Sequence, residues 1–518
     1  MAETLDRGGS LTARAFLLMF AKGAAYVLGF ALPLLLVRRM SREEFGLYKQ
    51  VFLAVSTALA VLPLGFGMSA YYFLPREPEA RRGAVVLNIV VFNAAVGALF
   101  FLALVLRPSV LAALFGSPEL TAYAPLVGLV VMLWMTASFV EIAAIACHES
   151  RMATVFIVAA QLSKTALLVS AAAGFGTVRS LVYAALAQGV FQTCVLLAYL
   201  RSRFPGFWRA PDWALMRAQL SYAMPIGFAG LVFGVLIDMH NYVVSHRFGP
   251  EAFAIYAIGC FSLPLVNIVG ESFGSLLIPH ISRLQKQGET REIVLVTAQT
   301  MRKLACVYFP LYAFLLVAGR EFLVVLFTEQ YLASWPIFVV HLTTLPTFVL
   351  ITDPIMRAYA EHRFFLLKVR TVTVLLLFPA LWFGTLRWGM VGAISIMVAF
   401  SLADRFVETA KAWSIVGVRW RDAALLKDFW KVAAAAALSG VAAALVRGGA
   451  IAGGARPFVV LVASGLSFGA VYVVAMALLG VVTPGEREAV RRHLGALGRR
   501  VPGRRAPNTA VPVQEVKS

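Results

Sequence analysis

The stretch Arg39-Met40-Ser41-Arg42-Glu43-Glu44-Phe45-Gly46-Leu47-Tyr48 decides how this chain is read. It joins a first apolar run to a second and has the form of a capped helix start. Ser41 is placed to be the N-cap, with Glu44 three residues on to close a capping box, and Met40 and Phe45 occupy the positions of a hydrophobic staple. A related stretch follows much later, Phe248-Gly249-Pro250-Glu251-Ala252-Phe253-Ala254-Ile255-Tyr256. There Gly249 takes the cap, Pro250 the first helical position, and Phe248 with Phe253 the staple. The separation of the two caps, 249 − 41 = 208 residues, raises the question of a duplicated lobe.

Composition sets the class. The chain has 518 residues, 60% hydrophobic and 14% charged, against roughly 25% charged in soluble domains. Its mean hydropathy is +0.81, so it is read as a polytopic membrane protein. The formal net charge of +20 lies in short loops and in the tail. That pattern fits an anionic lipid surface and argues against nucleic acid as a partner. Cys147, Cys194, Cys260 and Cys306 show no metal or redox spacing and read as packing residues. The run Ala15 to Val37 is too long for a signal h-region and ends in Arg38-Arg39, so it is expected to be a retained first span.

At about 20 apolar residues per span, six spans fall near 15–37, 48–73, 83–106, 122–146, 153–174 and 181–200. Six more fall near 221–244, 253–279, 303–327, 335–356, 364–386 and 390–413, and two near 431–446 and 457–480. Arg201 to Leu220, with Trp208 and Trp213, is expected to be an interfacial connector. Two further matches support duplication. Gly176-Thr177-Val178-Arg179 returns as Gly384-Thr385-Leu386-Arg387, with 384 − 176 = 208, and Ala146-x-x-Glu149-x-Arg151 returns as Ala358-x-x-Glu361-x-Arg363, with 358 − 146 = 212. Six spans per copy, an even number, make the repeats parallel. The expected organisation is an amino-terminal lobe over 1–208, a carboxy-terminal lobe over 209–416, a helix pair over 417–480 and a basic cytoplasmic tail over 481–518.

Loops after even-numbered spans carry most of the Lys and Arg, among them Arg76, Arg81, Arg82, Arg201, Arg203, Arg283, Lys286, Arg291, Arg419 and Arg421. Both termini are therefore expected in the cytoplasm. Arg38, Arg39 and Arg42 run against that rule. The stretch from Glu486 to Arg500 is expected to form a basic amphipathic helix suited to anionic membrane lipid, the alternative being a disordered solvated tail, which is the reading for Val501 onward.

No Walker A pattern and no ligand cluster is present, so neither a cofactor nor a metal is expected; His148-Glu149 lacks the second histidine of a zinc motif. Gly65-x-Gly67-x-x-Ala70 lies inside a span and reads as close helix packing. Gly230-x-x-x-Gly234 and Gly270-x-x-x-Gly274 are expected to bring spans seven and eight together. The informative residues are ionisable groups deep in spans, each costing roughly 2.5–3.5 kcal/mol at the bilayer centre. The deepest are Lys22 in span one, Lys164 in span five, Asp238 in span seven and Glu271 in span eight. They are the candidate lining of a polar cavity between the lobes. Its cationic wall suits a phosphate, and Asp238 and Glu271 could hold a coupling cation or neutralise the lysines. His240 is placed either to tune Asp238 or to serve as a structural histidine. Glu141, Asp353, Lys368, Arg370, Asp404 and Arg405 lie nearer span ends, where anchoring or local pairing is expected.

Arg39-x-x-x-Glu43-Glu44-Phe45-Gly46-x-Tyr48, Leu64-Gly65-Phe66-Gly67 and Tyr71-Tyr72-Phe73-Leu74-Pro75 resemble the amino-terminal signature of the Wzx-like polysaccharide transporters. That family belongs to the multidrug/oligosaccharidyl-lipid/polysaccharide superfamily, with the MATE exporters and lipid II flippases. Tyr222-x-x-Pro225, Asp238, Gly249-Pro250-Glu251, Tyr256 and Pro279-x-x-Ser282-Arg283 extend the resemblance, which covers roughly residues 10 to 480. Ala254-Ile255-Tyr256 departs from the family pattern, which has Gly before the Tyr. The resemblance implies an all-α integral membrane protein of about fourteen transmembrane helices, two six-helix lobes in a V plus two carboxy-terminal helices. It implies a non-enzymatic flippase of the bacterial inner membrane that moves polyprenyl-diphosphate-linked oligosaccharide by alternating access, for lipopolysaccharide or exopolysaccharide. A polysaccharide polymerase and chain-length machinery are the implied protein partners. The alternatives are a cation-coupled multidrug exporter and a membrane polymerase or glycosyltransferase; short outer loops disfavour the last.

Overall fold

A computed structural model describes residues 11–208 and 211–481, without the side chains of residues 11–22, 25, 26, 226, 360, 363, 420 and 423. The amphipathic tail expected after Glu486 lies outside the described residues. The first half comprises α1 (Leu11–Arg39), α2 (Arg42–Val61), the short α3 (Ala70–Phe73), α4 (Glu79–Leu106), the short α5 (Ser109–Phe115), α6 (Ala124–Ala137), α7 (Phe139–Ala146), α8 (Ser150–Gly174) and α9 (Val178–Arg203). The second comprises α10 (Trp213–Gly259), α11 (Pro264–Gln287), α12 (Thr290–Phe327), α13 (Trp335–Leu342), α14 (Asp353–Ala358) and α15 (Arg363–Val416), followed by α16 (Lys427–Ala452) and α17 (Pro457–Leu478). The protein is an all-α integral membrane protein.

Each of the fourteen expected stretches is largely helical, and eleven helices among the described residues are long and apolar enough to cross a membrane. One of these, Phe364–Val416, holds two of the expected spans, because Gly389 breaks α15 with φ 61° and ψ −150°. Gly249 breaks α10 in the same way, at φ 76° and ψ −178°, immediately before Pro250. A residue without a Cβ turns the chain there, and the proline restarts the helix. Trp213 already begins α10, so the expected connector is shorter than 201–220.

The opening stretch folds as its residues dictate. Ser41 Oγ accepts from the Glu44 amide at 3.2 Å, and Glu44 Oε2 accepts from the Ser41 amide at 3.1 Å. Met40 and Phe45, the staple pair, are both buried. In the second copy Phe253 is buried and Phe248 packs against the same apolar cluster. The two copies also touch each other, since Arg42 Nη1 lies 3.4 Å from Glu251 Oε1.

Within the first half α1 packs on α8, α4 on α6, and α9 on α6 and α8; within the second α10 packs on α15 and α11 on α14. The halves meet most extensively where α2 runs along α10, and α16 and α17 pair and dock on α12. Arg447 fastens that dock with two hydrogen bonds to Glu321, at 2.8 and 2.9 Å.

Two expectations are corrected. Gly230 and Gly274 have nothing within 4 Å of where a Cβ would stand, and Gly234 and Gly270 meet only side-chain atoms of Ala60 and Tyr308 at 3.7 Å. Those glycines therefore do not bring spans seven and eight together. The close approaches are between α10 and the first half, where a Cβ on Gly227 would lie 1.9 Å from the Leu64 carbonyl oxygen. The matched loops at 176 and 384 are also not equivalent. Gly176 is a left-handed turn residue, whereas Gly384 is inside α15 and the turn falls at Gly389. The match at offset 212 does correspond, with α7 ending at Ala146 and α14 at Ala358.

Candidate functional site: a lysine-lined cavity between the halves

A cavity of ≈ 750 Å³ lies among α1, α2, α6 to α8 and the start of α11. Helical periodicity builds its walls. On α2, Tyr48, Phe52, Val55 and Leu59 follow at i, i+4, i+7 and i+11, with Lys49 and Ser56 beside them. On α8, Gln161, Lys164, Thr165 and Leu168 form a second stripe, and on α11 Pro264, Asn267 and Glu271 a third. Pro33, inside α1, also lines the space.

Of the sequence-predicted site residues, Lys164 and Glu271 share this cavity. Lys22 lies within α1, and its side chain is outside the described residues. Asp238 lines a second cavity of ≈ 910 Å³ formed by α10, α13 and α15. There it accepts from Thr57 Oγ1 at 3.2 Å and from Asn241 Nδ2 at 3.4 Å. His240 lines the same cavity but pairs with Tyr256, its Nδ1 2.7 Å from the hydroxyl, so the structural role fits it. Ser262, in the break before α11, lines both cavities. The pairing expected near span ends is present in Arg357–Asp353 at 2.7 Å and Arg370–Glu408 at 2.9 Å.

Two functional candidates were not singled out from sequence. Lys49, one residue beyond the opening stretch, faces the cavity, and so does Glu141, expected as an anchor nearer a span end. Lys49 Nζ stands over the Phe45 ring at 5.5 Å, and Lys164 Nζ over the Trp134 ring at 4.3 Å. Trp134 is held in place by its indole N–H, which donates to Ala185 O at 3.0 Å. Among the described residues neither lysine has an ion-pair partner within 4 Å. The signal that could have found Lys49 is its helical spacing from Phe52 and Ser56, which places it on the polar side of α2. Two half-buried ammonium groups in one chamber can hold an anion as point charges.

The ends of the bundle differ. Beside the α1–α2 turn, Arg38 donates to the carbonyls of Val325 and Leu326 at 2.7 and 2.9 Å, and Gln330 donates to Val37 O at 2.9 Å. Buried Gln50 donates there to Ser117 and Ser245 at 2.9 and 2.7 Å. At the opposite end the first half is joined to the first turns of α10, through Arg81–Asp212 at 2.6 Å, Asn88–Gln219 at 3.0 Å and the stacked rings of Tyr72 and Tyr222.

The profile of a family described as polysaccharide biosynthesis protein matches residues 35–336, more than half of the chain. The chain belongs to the polysaccharide biosynthesis protein family. This family member has no match among curated proteins. Solved structures share its fold. Lipid II flippase MurJ in an inward closed conformation superposes with a TM-score of 0.70 at 13% identity, covering 89% of this chain and 98% of that one. A transporter of the MOP superfamily from Pyrococcus furiosus gives 0.56 at 13% identity, covering 79% and 96%. A MATE transporter from Vibrio cholerae gives 0.54 at 14%, covering 77% and 95%. At these identities the likeness is one of fold.

Proposed function

We propose that this polysaccharide biosynthesis protein is a flippase that carries a polyprenyl-diphosphate-linked oligosaccharide across the bacterial inner membrane. The observation that carries the reading is the convergence of Lys49 and Lys164, neither in an ion pair among the described residues, on one cavity between the halves. A diphosphate supplies the anion that two such ammonium groups lack, while its sugar stays in the wet chamber and its tail in the bilayer. Lys22, on α1, would join that cationic wall. The family assignment and the fold shared with a lipid II flippase support the substrate class. No bond is made or broken in such a step, so the protein acts as a transporter and not as an enzyme.

In this account residues 1–208 and 209–416 are the moving lobes, 417–480 an added helix pair, and both termini are cytoplasmic. The contacts of Arg38, Gln330 and Gln50 then close the outer end, those of Arg81 with Asp212 and Asn88 with Gln219 close the inner end, and the cavity alternates by releasing one set at a time. Asp238 and Glu271 are the candidates for a coupling cation, with Asp238 held by Thr57 of the other lobe. Partners are the lipid-linked oligosaccharide, anionic lipid at the basic tail, and the polymerase and chain-length machinery that consume the product. In a strain lacking the protein, lipid-linked sugar should accumulate on the cytoplasmic face. Normal delivery to the outer leaflet in that strain would overturn the proposal.

A further inference from the structure

A smaller chamber of ≈ 310 Å³ opens off the central cavity and shares Trp134, Glu141, Gln161 and Lys164 with it. Small-ligand sites begin at about this size, roughly 300 Å³. Its chemistry differs from that of the main cavity. Three carboxamides converge on it, Gln161 from α8 and Gln188 and Gln192 one turn apart on α9. Gln188 is 1% exposed, and its Oε1 is buried with no hydrogen-bond partner. Its Nε2 reaches only the Ala160 carbonyl, at 3.5 Å. Gln192 makes no hydrogen bond among the described residues.

Glutamines in the middle of membrane-spanning helices carry a desolvation cost that a polar occupant removes. The lining narrows what that occupant is. Its charged residues, Lys164 and Glu141, both stand on the wall it shares with the main cavity, and the rest of its lining is uncharged. One face of Trp134 already carries the Lys164 ammonium, which disfavours an organic cation there. A carboxamide both donates and accepts, and a hydroxyl does the same, so several glutamines around a small space match a polyhydroxylated ring.

We propose that this side chamber is a sugar subsite, taking the first uncharged hexose or N-acetylhexosamine attached to the diphosphate. The inference rests on the flippase reading and adds to it a place for the glycan, in the chamber that shares Lys164 with the main cavity. The sugar next to the phosphates is then checked for hydroxyl pattern while the lysines hold the charge, and the protein distinguishes a loaded carrier lipid from an empty one.

The test titrates the full-length protein in detergent with two probes, polyprenyl diphosphate and the same lipid carrying one hexose or N-acetylhexosamine. The wild type should bind a sugar-bearing probe about tenfold tighter, the scale of one or two well-made hydrogen bonds. Gln188→Leu and Gln192→Leu should each reduce that advantage and leave affinity for the bare diphosphate unchanged. Gln192→Leu is the safer variant, because the side chain has no partner to lose; an unchanged melting temperature confirms its fold. Equal wild-type affinity for all probes, or variants that weaken every probe by one factor, would overturn the subsite. A wild type that binds no probe overturns the flippase reading and the subsite with it.

Discussion

Gly46 lies so close to Pro250 that a Cβ on the glycine would come within 1.8 Å of the proline carbonyl oxygen. The two residues belong to the two copies of the repeated helix start, so the markers of the two halves pack directly on each other. Backbone cannot move aside as a flexible side chain can, and Gly46→Ala should destabilise the α2–α10 contact by about 1–3 kcal/mol. A lower melting temperature in detergent checks this. Gly230→Ala, at a position with open space, should leave melting unchanged.

Lys164 rests its ammonium on the Trp134 ring rather than on a carboxylate. Lys164→Ala should therefore leave the fold almost intact. It should reduce affinity for polyprenyl diphosphate about tenfold to a hundredfold, the range of one charge-assisted hydrogen bond. Titration in detergent, beside a melting curve, separates the two effects.

Glu321 is 9% exposed and both of its oxygens accept from Arg447. Arg447→Leu leaves that carboxylate without its cation and should cost about 1.5–3 kcal/mol, loosening α16 from α12. Adding Glu321→Leu should recover most of the loss, because the desolvated charge is removed as well. Melting temperatures of the two single variants and the double variant provide the cycle.

Asp212 caps α10 outside the spans. The Leu215 amide, at 3.0 Å, and then the Arg81 guanidinium, at 2.6 Å, hold its carboxyl below the usual 3.8. A lowered folded value means that its contribution is complete above the unfolded value and is lost as pH falls through the folded one. The melting temperature of wild type should exceed that of Asp212→Asn above about pH 5, and the difference should shrink as pH falls through and below the usual carboxylate range.

The helical class was legible because composition and span length are one-dimensional properties. The cap at Ser41 was legible because its partner, Glu44, is three residues away. The site was legible only in part. Depth along a span marked Lys164 and Glu271, but depth does not say which face of a helix meets a cavity, and Asp238 turned out to line a different one. Lys49 sits early in α2, and the cavity it lines is completed by Gln161 of α8 and Pro264 of α11, more than 100 residues away in sequence. The glycine pairs at 230 and 270 failed for the same reason, since spacing alone does not name the partner surface.

The most direct measurement of the central claim is leaflet-resolved translocation in proteoliposomes containing labelled polyprenyl-diphosphate-linked oligosaccharide. The account predicts transfer by the wild type and its loss in the Lys49→Ala/Lys164→Ala double variant, at unchanged melting temperature. Transfer by the double variant at the wild-type rate, or none by the wild type, would contradict it.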